Sequence, residues 1–173
     1  MITNFPIVLS PEVVNAFREQ GFVVTPDVLS TGEVAQYGAA IDQAVAARTA
    51  SDTRSITDKS TYEQSFLQCM RLCETDPGVV DLTFHEGLAG IAAQLLGVPS
   101  VNLWQDQALY KEPGGRETTA HQDQPFWPIG EAPLISAWIP LNTVDEGNGA
   151  MAYVPGSHLA GPLKVVDITH TSK

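Results

Sequence analysis

The sequence predicts an α+β fold, with helices gathered in the N-terminal half and short strands of an antiparallel sheet or barrel in the C-terminal half. Three observations carry this. Apolar residues recur at helical spacing up to residue 99, the period shifts to two after Pro99, and Gly/Pro/Asn/Asp clusters punctuate the second half at short intervals. With 173 residues, 43% of them hydrophobic, the chain is long enough for one domain with a core. The expectation is a single domain over 1–173, mainly helical at 1–99 and sheet-forming at 100–173.

Taken in order, Ser10 before Pro11 and Glu12 signals a helix start, and Gly21 its stop. Gly21-Phe22-Val23-Val24 reads as a short strand. Ser30-Thr31-Gly32-Glu33 is a capping box, leading into the stripe Val34, Tyr37, Ile41 and Val45 of a second helix. Residues 50–60 are polar and read as a mobile loop. Tyr62, Phe66, Cys69, Met70 and Cys73 then restore helical spacing, interrupted by Asp76-Pro77-Gly78. Leu88, Ile91, Leu95 and Leu96 form a further amphipathic helix ended by Gly97, with His85 before it as a cap or surface residue.

Beyond Pro99, residues 100–111 read as a long strand placing Gln107, Leu109 and Lys111 on one face. Pro113-Gly114-Gly115 makes a turn. Strands are expected at 118–124, 134–141 and 150–155, with turns from Pro128 to Pro133 and across Asp145-Glu146-Gly147-Asn148-Gly149.

Composition narrows the function classes. The net charge is −11 and the nine basic residues are scattered, so no stripe exists to neutralise phosphates and a nucleic-acid partner is not expected. No apolar run approaches the roughly 20 residues of a membrane span. The N-terminus lacks the marks of a signal peptide. Two cysteines, Cys69 and Cys73, read as small buried thiols on one helix face, a two-ligand metal site being the lesser alternative. A reducing cytoplasmic setting is expected.

The sharpest chemical feature is Thr119-Ala120-His121-Gln122-Asp123. On a strand, residues two apart share a face, so His121 and Asp123 can point together. A neutral imidazole and a carboxylate are two thirds of the facial triad of non-haem iron(II) sites, which leaves positions open for an oxoacid and dioxygen. The H-x-D spacing alone is weak, since a surface His and Asp on an ordinary strand produce it too.

Context strengthens it. The segments QALYKEPGGRETTAHQDQPFWP, ISAWIPL and GAMAYVPGSH, in this order, resemble the phytanoyl-CoA dioxygenase family of iron(II)- and 2-oxoglutarate-dependent oxygenases. GFVVTPDVLSTGEV resembles the opening of that family, and LAGIAAQLLG the helix before its barrel. The resemblance implies a double-stranded β-helix, a cupin-like jelly roll, with helices packed outside. It implies iron(II), with 2-oxoglutarate and dioxygen as co-substrates, hydroxylation of a small organic metabolite, and release of succinate and carbon dioxide.

Position by position, His121 and Asp123 match the first two iron ligands. Lys111 and Trp138 match positions around 2-oxoglutarate, and Gln107 is a weaker candidate for that pocket. Phe126 and Trp127 wall the cavity or fill core. His158 of the PGSH turn matches a structural or pocket-edge histidine.

In the family, a third histidine ligand and a carboxylate-binding arginine follow that turn. Here only His170 follows His158, and no arginine follows Arg116. The expectation is therefore a piece of a longer oxygenase lacking its C-terminal strands, with an open sheet edge available for self-association. The alternative is a shortened relative without activity, acting as a binding or partner subunit.

Overall fold

The computed structural model describes residues 6–114, 117–130 and 133–164. Helix α1, Pro11–Gln20, opens where Ser10 Oγ accepts the Val13 N–H, and closes at Gly21, whose φ of 84° is the left-handed conformation a C-cap glycine supplies. Helix α2, Thr31–Thr49, starts from the expected capping box. Ser30 Oγ accepts the Glu33 N–H at 3.2 Å, and Glu33 Oε2 accepts the Ser30 N–H at 2.8 Å. Its buried stripe is Tyr37, Ile41, Ala44 and Val45.

Helix α3, Pro77–Thr83, occupies the place read as an interruption. Asp76 is its N-cap, accepting the Gly78 N–H at 2.8 Å, and Pro77 sits in the first turn, where its missing N–H costs nothing. Helix α4, Glu86–Leu96, is capped by His85, whose Nδ1 accepts the Leu88 N–H, and ends at Gly97. α2 packs on α3, and α1 on α4. The Gln94 amide ties the N-terminal stretch to α4, donating to the Ile7 carbonyl and accepting the Leu9 N–H.

Several expectations about local structure fail. Residues 67–70 are strand, not helix: β1, Leu67–Met70, pairs antiparallel with β2, Gln107–Tyr110. The alternation of Leu67 and Cys69, which turn to the core, outweighs the apparent 3.6 period. After β1, Arg71 adopts φ 57° and starts a 3-10 turn at Leu72–Glu74. Asp106, just before β2, holds that turn by accepting the Leu72 and Cys73 N–H groups at 3.0 and 3.4 Å. Cys69 and Cys73 are therefore not on one helix face, although Cys69 is buried as expected.

Gly21–Val24 likewise forms no strand, because no neighbouring segment offers it a ladder; instead Phe22 stacks on Tyr153 at 5.1 Å.

Tyr37, Ile41, Ala44, Val45, Cys69, Leu72, Val79 and Leu82 form the core, with Ala108, Tyr110, Ile139 and Leu141 packed against it. The sheet thus lays one face on the helices. Its other face carries Gln68, Met70, Gln107 and Leu109.

The long strand expected at 100–111 is ladder-paired only at 107–110. The strands expected at 118–124, 134–141 and 150–155 form no ladder among the described residues. What is established is a mixed helix and sheet fold with one two-stranded antiparallel sheet. No helix among the described residues is long and apolar enough to cross a membrane.

Candidate active site

His121 and Asp123 converge. His121 Nε2 lies 3.3 Å from Asp123 Oδ1. The chain turns at this point: Asp123 has helical dihedrals and begins the 3-10 turn Gln124–Phe126. Between the two, Gln122 points away and anchors the segment, donating to the Gly161 carbonyl and accepting the Leu163 N–H.

Each member of the pair is oriented by a neighbour. His121 Nδ1 is 2.7 Å from the Thr119 carbonyl oxygen, which can only accept, so Nδ1 carries the proton and donates. In the neutral imidazole that leaves Nε2 as a bare lone pair facing a carboxylate oxygen. Ser136 Oγ donates to the other oxygen, Asp123 Oδ2, at 3.3 Å. Phe126 packs edge-on against the imidazole at 5.9 Å.

Two acceptors 3.3 Å apart repel unless a proton or a cation lies with them. Two cis ligands at about 2.1 Å from an octahedral ion are about 3 Å apart. The pair therefore fits a hard or borderline divalent cation. Among the described residues no third His, Cys, Asp or Glu joins it in a cluster of three. Arg116 and His170 lie outside the described residues.

Lys111 follows β2 directly. Its Nζ donates to the Ser65 carbonyl at 2.9 Å and to Thr118 Oγ1 at 3.0 Å, and lies 5.5 Å from the centre of the Phe66 ring. The ammonium is thus tied to the segment that carries His121 three residues later. Desolvation lowers its pKa, with Glu117 opposing. Gly149 lies against its stem: a Cβ there would meet Lys111 Cγ at 2.9 Å, and the φ of 101° already favours glycine.

Trp138 is 38% exposed. Its neighbours Ile139 and Leu141 pack against the core, while Ser136 reaches Asp123. Gln107 stands on the outward face of β2, its Oε1 accepting from Gln68 Nε2 at 2.9 Å.

Tyr153, which the sequence did not single out, stacks on Phe22; burial raises its pKa first, and the Asp123 carboxylate second. His158 is structural as expected, its Nε2 hydrogen-bonded at 2.9 Å to the Arg18 carbonyl at the end of α1. Ser136 was also missed, though its place two residues before Trp138 was a usable signal. Gln68 was missed because its segment read as helix. A hollow of about 590 Å³ between Pro6, Glu33, Phe84 and His85 lies in the helical half and includes none of these residues.

Comparison with known proteins supplies the wider frame. The family model described as phytanoyl-CoA dioxygenase matches residues 17–170. The chain is 32% identical over 94 residues to a phytanoyl-CoA dioxygenase of Arabidopsis thaliana, covering 54% of this chain and 33% of that protein. It is 25% identical over 182 residues to the peroxisomal phytanoyl-CoA dioxygenase of Rattus norvegicus, covering 92% and 50%. A solved structure, the non-heme alpha ketoglutarate dependent carbocyclase SnoK from nogalamycin biosynthesis, superposes with a TM-score of 0.71 at 34% identity, covering 87% of this chain and 58% of that one. The chain spans no more than half the length of these two curated relatives. With the family matched over most of its length and the fold shared with a 2-oxoglutarate-dependent enzyme, this chain belongs to the phytanoyl-CoA dioxygenase family.

Proposed function

We propose that this chain carries the metal-binding half of an iron(II)- and 2-oxoglutarate-dependent oxygenase that hydroxylates a small organic metabolite. The observation that carries it is the convergence of His121 Nε2 and Asp123 Oδ1, two oriented acceptors at the spacing of neighbouring ligands. When bound, iron with 2-oxoglutarate and dioxygen supplies oxidation of a substrate C–H bond, with succinate and carbon dioxide as co-products. His121 and Asp123 hold the metal. The Thr119 carbonyl fixes the imidazole tautomer, and Ser136 turns the carboxylate. Lys111 meets a carboxylate of 2-oxoglutarate, with Trp138 beside it and Gln107 further along the same face. In this reading the sheet is part of a cupin-like jelly roll within one domain.

Calorimetric titration with Mn(II), a redox-quiet stand-in, tests the centre. Binding in the micromolar range or weaker is expected, and Asp123→Ala should abolish it. An unchanged isotherm in that variant would overturn the assignment.

One observation favours a second reading, a family relative that binds without turnover: only two candidate ligands come together among the described residues. Succinate formation by the chain separates the two.

A further inference from the structure

The exit of α1 is fastened to the segment 153–158 by three contacts. Gly156 N–H donates to the Gln20 carbonyl at 2.8 Å, and His158 Nε2 donates to the Arg18 carbonyl at 2.9 Å. Phe22 stacks on Tyr153 with ring centres 5.1 Å apart. Both carbonyls belong to the last turn of α1, where no intrahelical N–H remains to meet them. Gly21 makes the approach possible, because a Cβ there would run into the His158 imidazole.

The same segment then reaches the candidate ligands. Its 3-10 turn, Ser157–Ala160, leads into Gly161 and Leu163. The Gly161 carbonyl accepts from Gln122 Nε2 at 3.0 Å, and the Leu163 N–H donates to Gln122 Oε1 at 2.9 Å. Gln122 stands between His121 and Asp123, so both candidate ligands are pinned from behind. Two hydrogen bonds to the two ends of one amide fix its rotation as well as its place. Burial raises the Tyr153 pKa and the Asp123 carboxylate adds to it, a second tie between this segment and the pair. None of these residues belongs to the core cluster.

We propose that the segment 153–163 is a brace through which α1 sets the placement of the His121–Asp123 pair, with His158 and Gln122 as its positioning residues. Losing either lowers metal affinity without unfolding the core. The effect on metal rests on the oxygenase reading, whereas the mechanical link stands on the hydrogen bonds alone.

Mn(II) calorimetry, thermal unfolding and amide exchange at one fixed pH, all on the 173-residue chain, test it. Gln122→Leu removes both amide contacts and should weaken Mn(II) binding about tenfold, the lower end of what ligand-orienting groups contribute. His158→Leu removes one hydrogen bond and should weaken it about two- to tenfold. His158→Gln keeps an N–H donor at the same reach from the backbone and should restore nearly native affinity. Val79→Ala, in the core, should lower Tm more than any of these and leave Mn(II) binding unchanged. By the reciprocity of linked equilibria, Mn(II) should also slow amide exchange over 153–163 in the native chain.

Unchanged Mn(II) affinity in Gln122→Leu or His158→Leu overturns the proposal. So does failure of His158→Gln to restore it, or an equal loss in Val79→Ala. A native chain that binds no Mn(II) sinks the metal-centre reading instead. The brace is then decided by exchange without metal, where His158→Leu should quicken residues 119–127 and leave 67–70 as in the native chain; equal rates at 119–127 overturn it.

Discussion

The two nitrogens of His121 have different work. Nδ1 is committed to the Thr119 carbonyl two residues back, so the ring cannot rotate to present it, and Nε2 is the atom offered to a ligand. Lys111 shows a comparable division: its stem runs beneath Gly149 and over Phe66, and only the ammonium reaches the segment bearing His121. If that ammonium meets 2-oxoglutarate, Lys111→Ala should weaken 2-oxoglutarate binding to the Mn(II)-loaded protein roughly tenfold or more. A charge-assisted hydrogen bond of about 1.5–3 kcal/mol sets that scale. An unaltered calorimetric titration would show that the lysine has a structural role, holding Ser65 and Thr118. The His-x-Asp pair was legible because its spacing needs only a local turn. Ser136 was not, because its contact depends on how a segment thirteen residues away lies against the first.

At the scale of elements, each α-helix starts on a side-chain N-cap, Ser10, Ser30, Asp76 or His85, and α1 and α4 close at Gly21 and Gly97. These signals act within four residues, so Ser10, Gly21, Ser30 and Gly97 could be read from the sequence, whereas Asp76-Pro77-Gly78 read as an interruption and proved to be the start of α3. β1 could not be read. Its partner lies some forty positions away, and the Asp106 carboxylate that holds the following turn is equally distant. Within the loop at 50–60, Arg54 bridges Asp52 at 2.8 Å and reaches Glu63 beyond it at 2.6 Å. Those hydrogen bonds hold both carboxyls down to about 2, from 3.8 and 4.5. A depressed carboxyl contributes its stabilisation above the unfolded value and loses it as pH falls through the folded one. The protection factors of amides in residues 52–63, taken against the intrinsic exchange rate at each pH, should therefore fall between about pH 4.5 and pH 2, and Arg54→Ala should weaken that fall. The bridges are exposed, so the global unfolding temperature should change little.

For the whole molecule, the distribution of apolar surface is uneven. Helices cover one face of the sheet, the uncovered face exposes Met70 and Leu109, and most of the other exposed large apolar residues, Trp104, Phe126, Trp138 and Met151 among them, lie after residue 100. A two-stranded ladder is marginal by itself and both of its outer edges can pair. We expect the 173-residue chain to self-associate with rising concentration, measured by sedimentation equilibrium. We also expect no conversion of 2-oxoglutarate to succinate, because the two candidate ligands that come together among the described residues fall short of a complete centre. A strictly monomeric chain with robust succinate formation would refute both, and would place a further ligand among residues outside those described.

The glycine pressed against Lys111 has a kinetic and entropic consequence. A lysine in water samples many rotamers, and immobilising one costs up to about 2 kcal/mol. Here that ordering is completed during folding, because backbone, not a yielding side chain, fills the space into which the stem would swing. If Lys111 does meet the co-substrate, the anion would find a cation already aimed, and its residence time would reflect contacts made rather than motion arrested. Widening the gap at Gly149 is impossible by substitution, since every other residue is larger. The turn at 145–149 is therefore as much a determinant of how Lys111 behaves as the lysine itself.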